Sequence, residues 1–245
     1  MATVALIGAD GAGKTTVGRR VEEQRALPIK YIYMGVNPET SNHMLPTTRL
    51  ILQVKRWLGK ESHVGGPPDP SRSKVAPRGL LRRSLRGIKG LLRTTNLLAE
   101  EWYRQLLAWW YQRRGFVVLF DRHFFWDYHA HDISTDSERR PSLARRIHGH
   151  FLRRLYPKPD LVVLLDAPAE VLFERKREGT VELIELRRQE YFRLREQAPR
   201  FEVVDATQPL DVVVQKVLEA IRTMQQSSDP DPSHDTARRR KSQPN

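Results

Sequence analysis

The chain has 245 residues, 39% hydrophobic, with a formal net charge of +13 and no cysteine. That length suits one sizeable α/β domain and leaves two cramped, while the missing cysteine excludes disulfides and thiolate metal sites and fits a reducing, cytoplasmic compartment. Mean hydropathy is −0.57, no apolar run approaches the ~20 residues of a membrane span, and "MATVALIG" lacks the basic region and cleavage site of a signal peptide.

Residues 3–7 read as a short buried strand feeding a glycine loop, with a helix expected from Lys14. "GADGAGKT", Gly8 to Thr15, fits G-x-x-x-x-G-K-[ST]. Glycines allow the left-handed turns that aim successive backbone N–H groups at a phosphate. Lys14 supplies a cation for the β/γ oxygens, Thr15 a hydroxyl suited to Mg²⁺, and the helix start its partial positive charge. The candidate ATP site therefore comprises Gly8, Asp10, Gly11, Ala12, Gly13, Lys14, Thr15 and Thr16.

"IKYIYMG" is a second strand candidate, followed by a stretch from Asn37 to Thr95 with little legible order. "GGPPDPSR" within it must be loop. Leu81, Leu85, Ile88 and Leu92 then recur at helical spacing, with Arg82, Arg86, Lys89 and Arg93 on another face; Gly79, Gly87 and Gly90 weaken that helix. The segment 55–93 carries eleven Lys/Arg against only Glu61 and Asp69. It reads as a solvated insertion near the acceptor site, as a phosphate-gripping flap, or as a membrane-surface helix. Nucleic acid ranks last as its partner, because Trp57 is the one Phe, Trp or Tyr that lies among the basic residues.

"TTNLLAEEWYRQLLAWWYQRRG" predicts a helix with Leu98, Trp102, Leu106 and Trp109 on one apolar stripe, the "AWW" tryptophans in the core, and Gly115 at its end. "FVVLFD" and "PDLVVLLD" are strands ending on Asp121 and Asp166. Either acid, beyond the carboxyl end of a strand, is placed to hold Mg²⁺ or orient an acceptor; Arg122 and His123 follow Asp121. "HAHD", His129 to Asp132, has too few ligands for a metal site and reads as a polar loop. Two helices with a basic turn, a strand "FEVVD" and a helix from Leu210 to Met224 complete a domain over 1–224, and the polar tail 225–245 reads as disordered. Continuous apolar strands alternating with helices predict a parallel sheet covered on both faces.

Four of these motifs, in order, resemble the thymidylate kinases among the nucleoside monophosphate kinases. "GADGAGKTT" resembles that family's loop, including Asp10; Asp121-Arg122-His123 resembles its DR[YHF]; "PDLVVLLDAPAEVLFERKR" and "VVDATQPLDVV" resemble its later strands. The likeness covers about 1–20, 95–128 and 158–224 and is poor from 30 to 93. It implies a P-loop core with a closing lid, Mg-ATP as donor, a small-molecule phosphoacceptor with thymidylate first, and a homodimer. It also implies that an acid at Asp10 touches the acceptor's sugar. Since Gly11 leaves the loop without an arginine, the resemblance assigns transition-state charge to Arg175 and Arg177 of the lid, with Arg122 gripping anionic oxygen and Asp121 organising metal or acceptor.

Two departures bear on the acceptor. "YMGVNPET" lacks the arginine the family carries after the second strand, and Glu101 stands where its helix arginine belongs. A carboxylate there repels an acceptor phosphate. Either another cation substitutes (Arg104, Arg49 or one from the basic insertion), or the acceptor presents a hydroxyl, for which Asp121 or Glu101 is a candidate base. The readings carried forward are a nucleoside monophosphate kinase, a kinase of the same fold acting on a hydroxyl or sugar, and an ATP-binding sensor with little turnover.

Overall fold

The computed structural model describes residues 2–35, 43–57, 80–123, 154 and 156–227. The HAHD motif, the GGPPDPSR loop and the tail from 228 onward lie outside them. In chain order the elements are β1 (Thr3–Ile7), α1 (Lys14–Glu23), β2 (Ile29–Tyr33), α2 (Pro46–Trp57), α3 (Leu80–Arg113), β3 (Val117–Asp121), β4 (Leu161–Asp166), α4 (Ala169–Lys176), α5 (Val181–Arg193), β5 (Phe201–Asp205) and α6 (Leu210–Gln226).

The five strands form one parallel sheet in the order β2-β3-β1-β4-β5. Alternation along each strand sends side chains to both faces, and each face has its own core. Val4 and Leu6 of β1 pack with Val17 and Val21 of α1 and with Val214, Val217 and Ile221 of α6. Ala5 and Ile7, between them in sequence, meet Tyr191 of α5 and Leu194 on the opposite face. At the β2–β3 end, Ile32, Val118 and Phe120 close on Ala108 of α3 and on Tyr156. This is the expected α/β P-loop architecture, with helices on both faces and β1 at its centre.

The structure departs from the sequence reading in three places. The stretch that showed little order contains α2. The two helical patterns between residues 80 and 113 are one 34-residue helix, running through Gly87 and Gly90; two interior glycines cost about 1 kcal/mol each against alanine, too little to break a helix of that length. It ends where expected, at Gly115 with φ +85°.

The third departure is the face α3 presents. The expected apolar stripe does not form its buried side: Leu106 is 56% exposed, and Trp109 and Trp110 also lie in solvent, so the "AWW" tryptophans are not core. Glu100, Glu101, Arg104, Gln105 and Ala108 are buried instead. Periodicity reports only that a helix has two unlike faces. Which face docks is decided by the partner, and here β2 ends in main-chain carbonyls that call for donors.

Candidate active site

The loop between β1 and α1 sits over the carboxyl end of the sheet, where open α/β sheets hold their ligands. Its conformation depends on glycine. Gly11 has φ +91°, and a Cβ there would come within 2.3 Å of the Leu172 carbonyl oxygen on α4. No side chain fits, so the lack of an arginine at this position has a steric cause as well as a chemical consequence. Gly8, at φ +149°, is pressed in the same way against the Leu165 carbonyl oxygen at 2.5 Å. The Lys14 ammonium, 6% exposed, folds back to donate to the carbonyls of Gly8 at 2.7 Å and Ala9 at 3.0 Å. Ala12 is buried, and Thr16 is exposed on the first turn of α1.

The loop is tied to the sheet through Asp121. Its Oδ2 accepts from the Thr15 hydroxyl at 2.6 Å and from the Tyr31 hydroxyl at 2.6 Å. Burial, reinforced by the Asp121 charge, pushes the Tyr31 phenol far up, so Tyr31 stays a neutral donor. Asp121 Oδ1, on a fully buried residue, has no hydrogen-bond partner among the described residues. One carboxylate with an uncommitted oxygen beside a threonine hydroxyl is a hard-oxygen donor set of the type Mg²⁺ takes when phosphates and waters supply the rest. The residues present therefore fit the ion, and no cluster of three or more His, Cys, Asp or Glu suited to a transition metal occurs among the described residues. Sequence reasoning missed Tyr31, because a tyrosine inside an apolar strand gives no signal of what its hydroxyl meets.

Arg122 leaves β3 in the left-handed region, at φ +69°, while its N–H donates to the Leu6 carbonyl at 3.0 Å. For a residue with a Cβ that conformation is uncommon, and the cost is offset by what it positions. The guanidinium turns towards the loop and meets Asp10 Oδ1 at 2.9 Å. Two further cations converge on the same carboxylate: Lys176 Nζ on Oδ1 at 3.5 Å and Arg187 Nη1 on Oδ2 at 3.0 Å. Burial alone would raise the Asp10 carboxyl, but Lys14, Arg122, Lys176 and Arg187 together outweigh it and hold it well below the usual carboxylate range.

The lid candidates are placed differently from one another. Arg175 donates to the Ala206 carbonyl at 2.9 Å, on the β5 side of the site. Arg177 is the left-handed C-cap of α4. The cations of this region that reach the loop are Lys176, between those two, and Arg187 on α5. Sequence reasoning passed over both: Lys176 was one charge in a basic run, and Arg187 lies one helix further on. Asp166 is held at both oxygens by Arg188, at 2.7 and 2.8 Å, which ties the end of β4 to α5.

At the helix position where the sequence reading looked for an acceptor clamp, Arg104 is fully buried. It donates to the carbonyls of His43, Met34 and Gly35 at 3.1, 2.7 and 2.9 Å and to Glu100 Oε1 at 2.9 Å. Glu100 in turn accepts from the Leu45 N–H and the Thr48 hydroxyl at the start of α2. Arg104 is thus a clamp joining α3, α2 and the end of β2. Glu101 is buried on the same face. Burial first, and the Glu101 charge second, push the Tyr156 phenol well up. His123 is buried with its ring 5.3 Å from that of Tyr156. Arg49 is exposed on α2.

No family model and no curated protein matches the chain. Among solved structures it is similar to a deoxyadenosine kinase from M. mycoides with the products dCMP and a flexible dCDP bound, at 14% identity and a TM-score of 0.49, covering 90% of this chain and 99% of that one. Among the described residues no helix is long and apolar enough to cross a membrane.

Proposed function

We propose that this protein is a phosphotransferase that takes its phosphoryl group from Mg-ATP, and that its acceptor is a nucleoside monophosphate, with thymidylate the first candidate. The observation that carries the donor half is the 2.6 Å contact between the Thr15 hydroxyl and Asp121. It joins the phosphate loop to the end of the neighbouring strand, so that a triphosphate on the loop has a hydroxyl and a carboxylate beside its terminal oxygens. Thr15 and Asp121 would hold the magnesium ion, which when bound neutralises charge on the phosphates. The loop amides and the start of α1 bind the phosphates, and Lys14 leaves its carbonyl partners for them. Arg122 is directed at the same space by its strained backbone. Thymidylate as acceptor is supported by the motif resemblance alone.

A second reading, transfer to a hydroxyl, is favoured by the acceptor-side geometry. Arg104 is committed to main-chain carbonyls and to Glu100. Glu101, a buried carboxylate, occupies the face where a phosphate clamp was sought. A phosphate acceptor is anionic near neutral pH and needs no base, whereas a hydroxyl gains from one. Labelled ATP offered with dTMP, other monophosphates, nucleosides and sugars separates the two. Label on dTMP or another monophosphate supports the first reading, and label on hydroxyl acceptors alone supports the second. No transfer to any of them, with ATP still bound, leaves a nucleotide sensor.

A further inference from the structure

Tyr31 reaches Asp121 from the sheet rather than from the loop. In register it lies opposite Leu119, two residues before Asp121 on β3, and strand alternation puts Tyr31, Leu119 and Asp121 on the face covered by α1. The ring runs beneath that helix. A Cβ on Gly18 would come within 2.5 Å of the Tyr31 Cε2 and 2.8 Å of its Cδ2. Glycine inside a 10-residue helix weakens it, so α1 gives up helix propensity at this position to make room for the ring. Phenylalanine would fill the same space. The hydroxyl adds a polar atom to a residue that is 2% exposed, which is unfavourable unless the atom is bonded. It donates to Asp121 Oδ2 at 2.6 Å, the oxygen that also accepts from Thr15.

Two donors on Oδ2 leave Oδ1 as the carboxylate oxygen with no hydrogen-bond partner among the described residues. The two donors are held in different ways. Thr15 stands in the first turn of α1, beside the loop that a nucleotide engages, and an ion would draw on the lone pairs of its hydroxyl. Tyr31 belongs to β2, which is paired along its length with the strand that carries Asp121. We propose that Tyr31 is a positioning residue for the metal: from the sheet it fixes the Asp121 carboxylate by Oδ2, so that Oδ1 stays the oxygen offered to the magnesium ion or to a water the ion carries. The proposal rests on the Mg-ATP reading and deepens it. A carboxylate already held by an outer partner loses less rotational freedom when it takes up an ion, and so binds it more tightly.

The test is calorimetric binding of a non-hydrolysable ATP analogue to the full chain, once with saturating Mg²⁺ and once in EDTA. By linkage, the ratio of the two affinities reads how far the protein strengthens the hold on the metal. Tyr31→Phe keeps the ring and removes the hydroxyl. The ratio should fall about tenfold, while the affinity in EDTA changes little. A purely structural role would lower both affinities together and leave the ratio where it was. In an Asp121→Asn background Tyr31→Phe should move the ratio by less than about twofold, because its partner carboxylate is gone. Gly18→Ala, which pushes the ring from its place, should lower the ratio even though alanine favours the helix. It carries the test alone if circular dichroism shows that Tyr31→Phe does not fold. A wild-type ratio well above one that Tyr31→Phe leaves unmoved would overturn this proposal alone, and so would a tenfold fall that persists in the Asp121→Asn background. A wild-type ratio of one would remove the Mg-ATP reading itself.

Discussion

Arg104→Met puts the assignment of the acceptor-side arginine to a direct measurement. If Arg104 is the clamp described above, its loss strands several groups at once. The guanidinium is fully buried, Glu100 is 3% exposed, and three main-chain carbonyls lose a charged donor. Removing one partner of a buried ion pair costs about 3–5 kcal/mol, because the remaining charge is left uncompensated. Met roughly preserves the aliphatic length, which limits any cavity contribution. For a chain of this size each 1 kcal/mol lowers Tm by about 2–4 °C, so a fall of at least about 6 °C is expected in a thermal melt. Arg104→Lys should recover only part of it, since Nε, Nη1 and Nη2 are all engaged and an ammonium cannot reproduce that fork. An arginine poised for an acceptor phosphate would behave in the opposite way. A Tm within about 2 °C of wild type, together with a raised KM for the acceptor, would refute the clamp.

Lys14→Ala should cut phosphoryl transfer from ATP by at least about 100-fold, as loss of a charged donor at a transferring group does, and transfer left intact would remove the donor-site assignment. Asp121→Asn should raise the magnesium concentration for half-maximal turnover at least about tenfold, read in a metal titration at saturating ATP. Gly11→Ala forces a Cβ to 2.3 Å from the Leu172 carbonyl oxygen at φ +91°, so α4 must move away from the loop; melts and ATP titrations should both show the loss, with the backbone strain alone worth about 1–2 kcal/mol. Hydrogen bonds from Thr207 and Gln208 lower the Asp205 carboxyl from 3.8 to about 2. A lowered folded-state pKa contributes stability above the unfolded value that is lost as pH falls through the folded one. Asp205→Asn should therefore flatten the stability profile between about pH 4 and pH 2, and an unchanged acid limb would contradict the bonding at that turn.

The sheet was legible because its information is local. Five largely apolar runs bounded by acids, glycines or prolines mark the strands, and all five match the structure, four of them buried on both faces and β5 with Val203 left exposed. The loop from Gly8 to Thr15 was equally plain, since its glycines and lysine act through their own backbone and their nearest neighbours. What the sequence by itself determined is a parallel α/β core with a phosphate loop at its start and a strand ending on Asp121 to face it. The tertiary structure alone decided the partners. Nothing in the chain order announces that Asp10 gathers Arg122, Lys176 and Arg187 across separations of 112 to 177 residues. Nor does it announce that Arg104 turns inward while Trp109 and Trp110 turn out. Charge recognises charge through space, and a buried carbonyl demands a donor from whichever helix lies above it. Those choices are made only once the sheet has brought its ends together, and here they commit Arg104 to bracing the fold and gather Arg122, Lys176 and Arg187 at the loop.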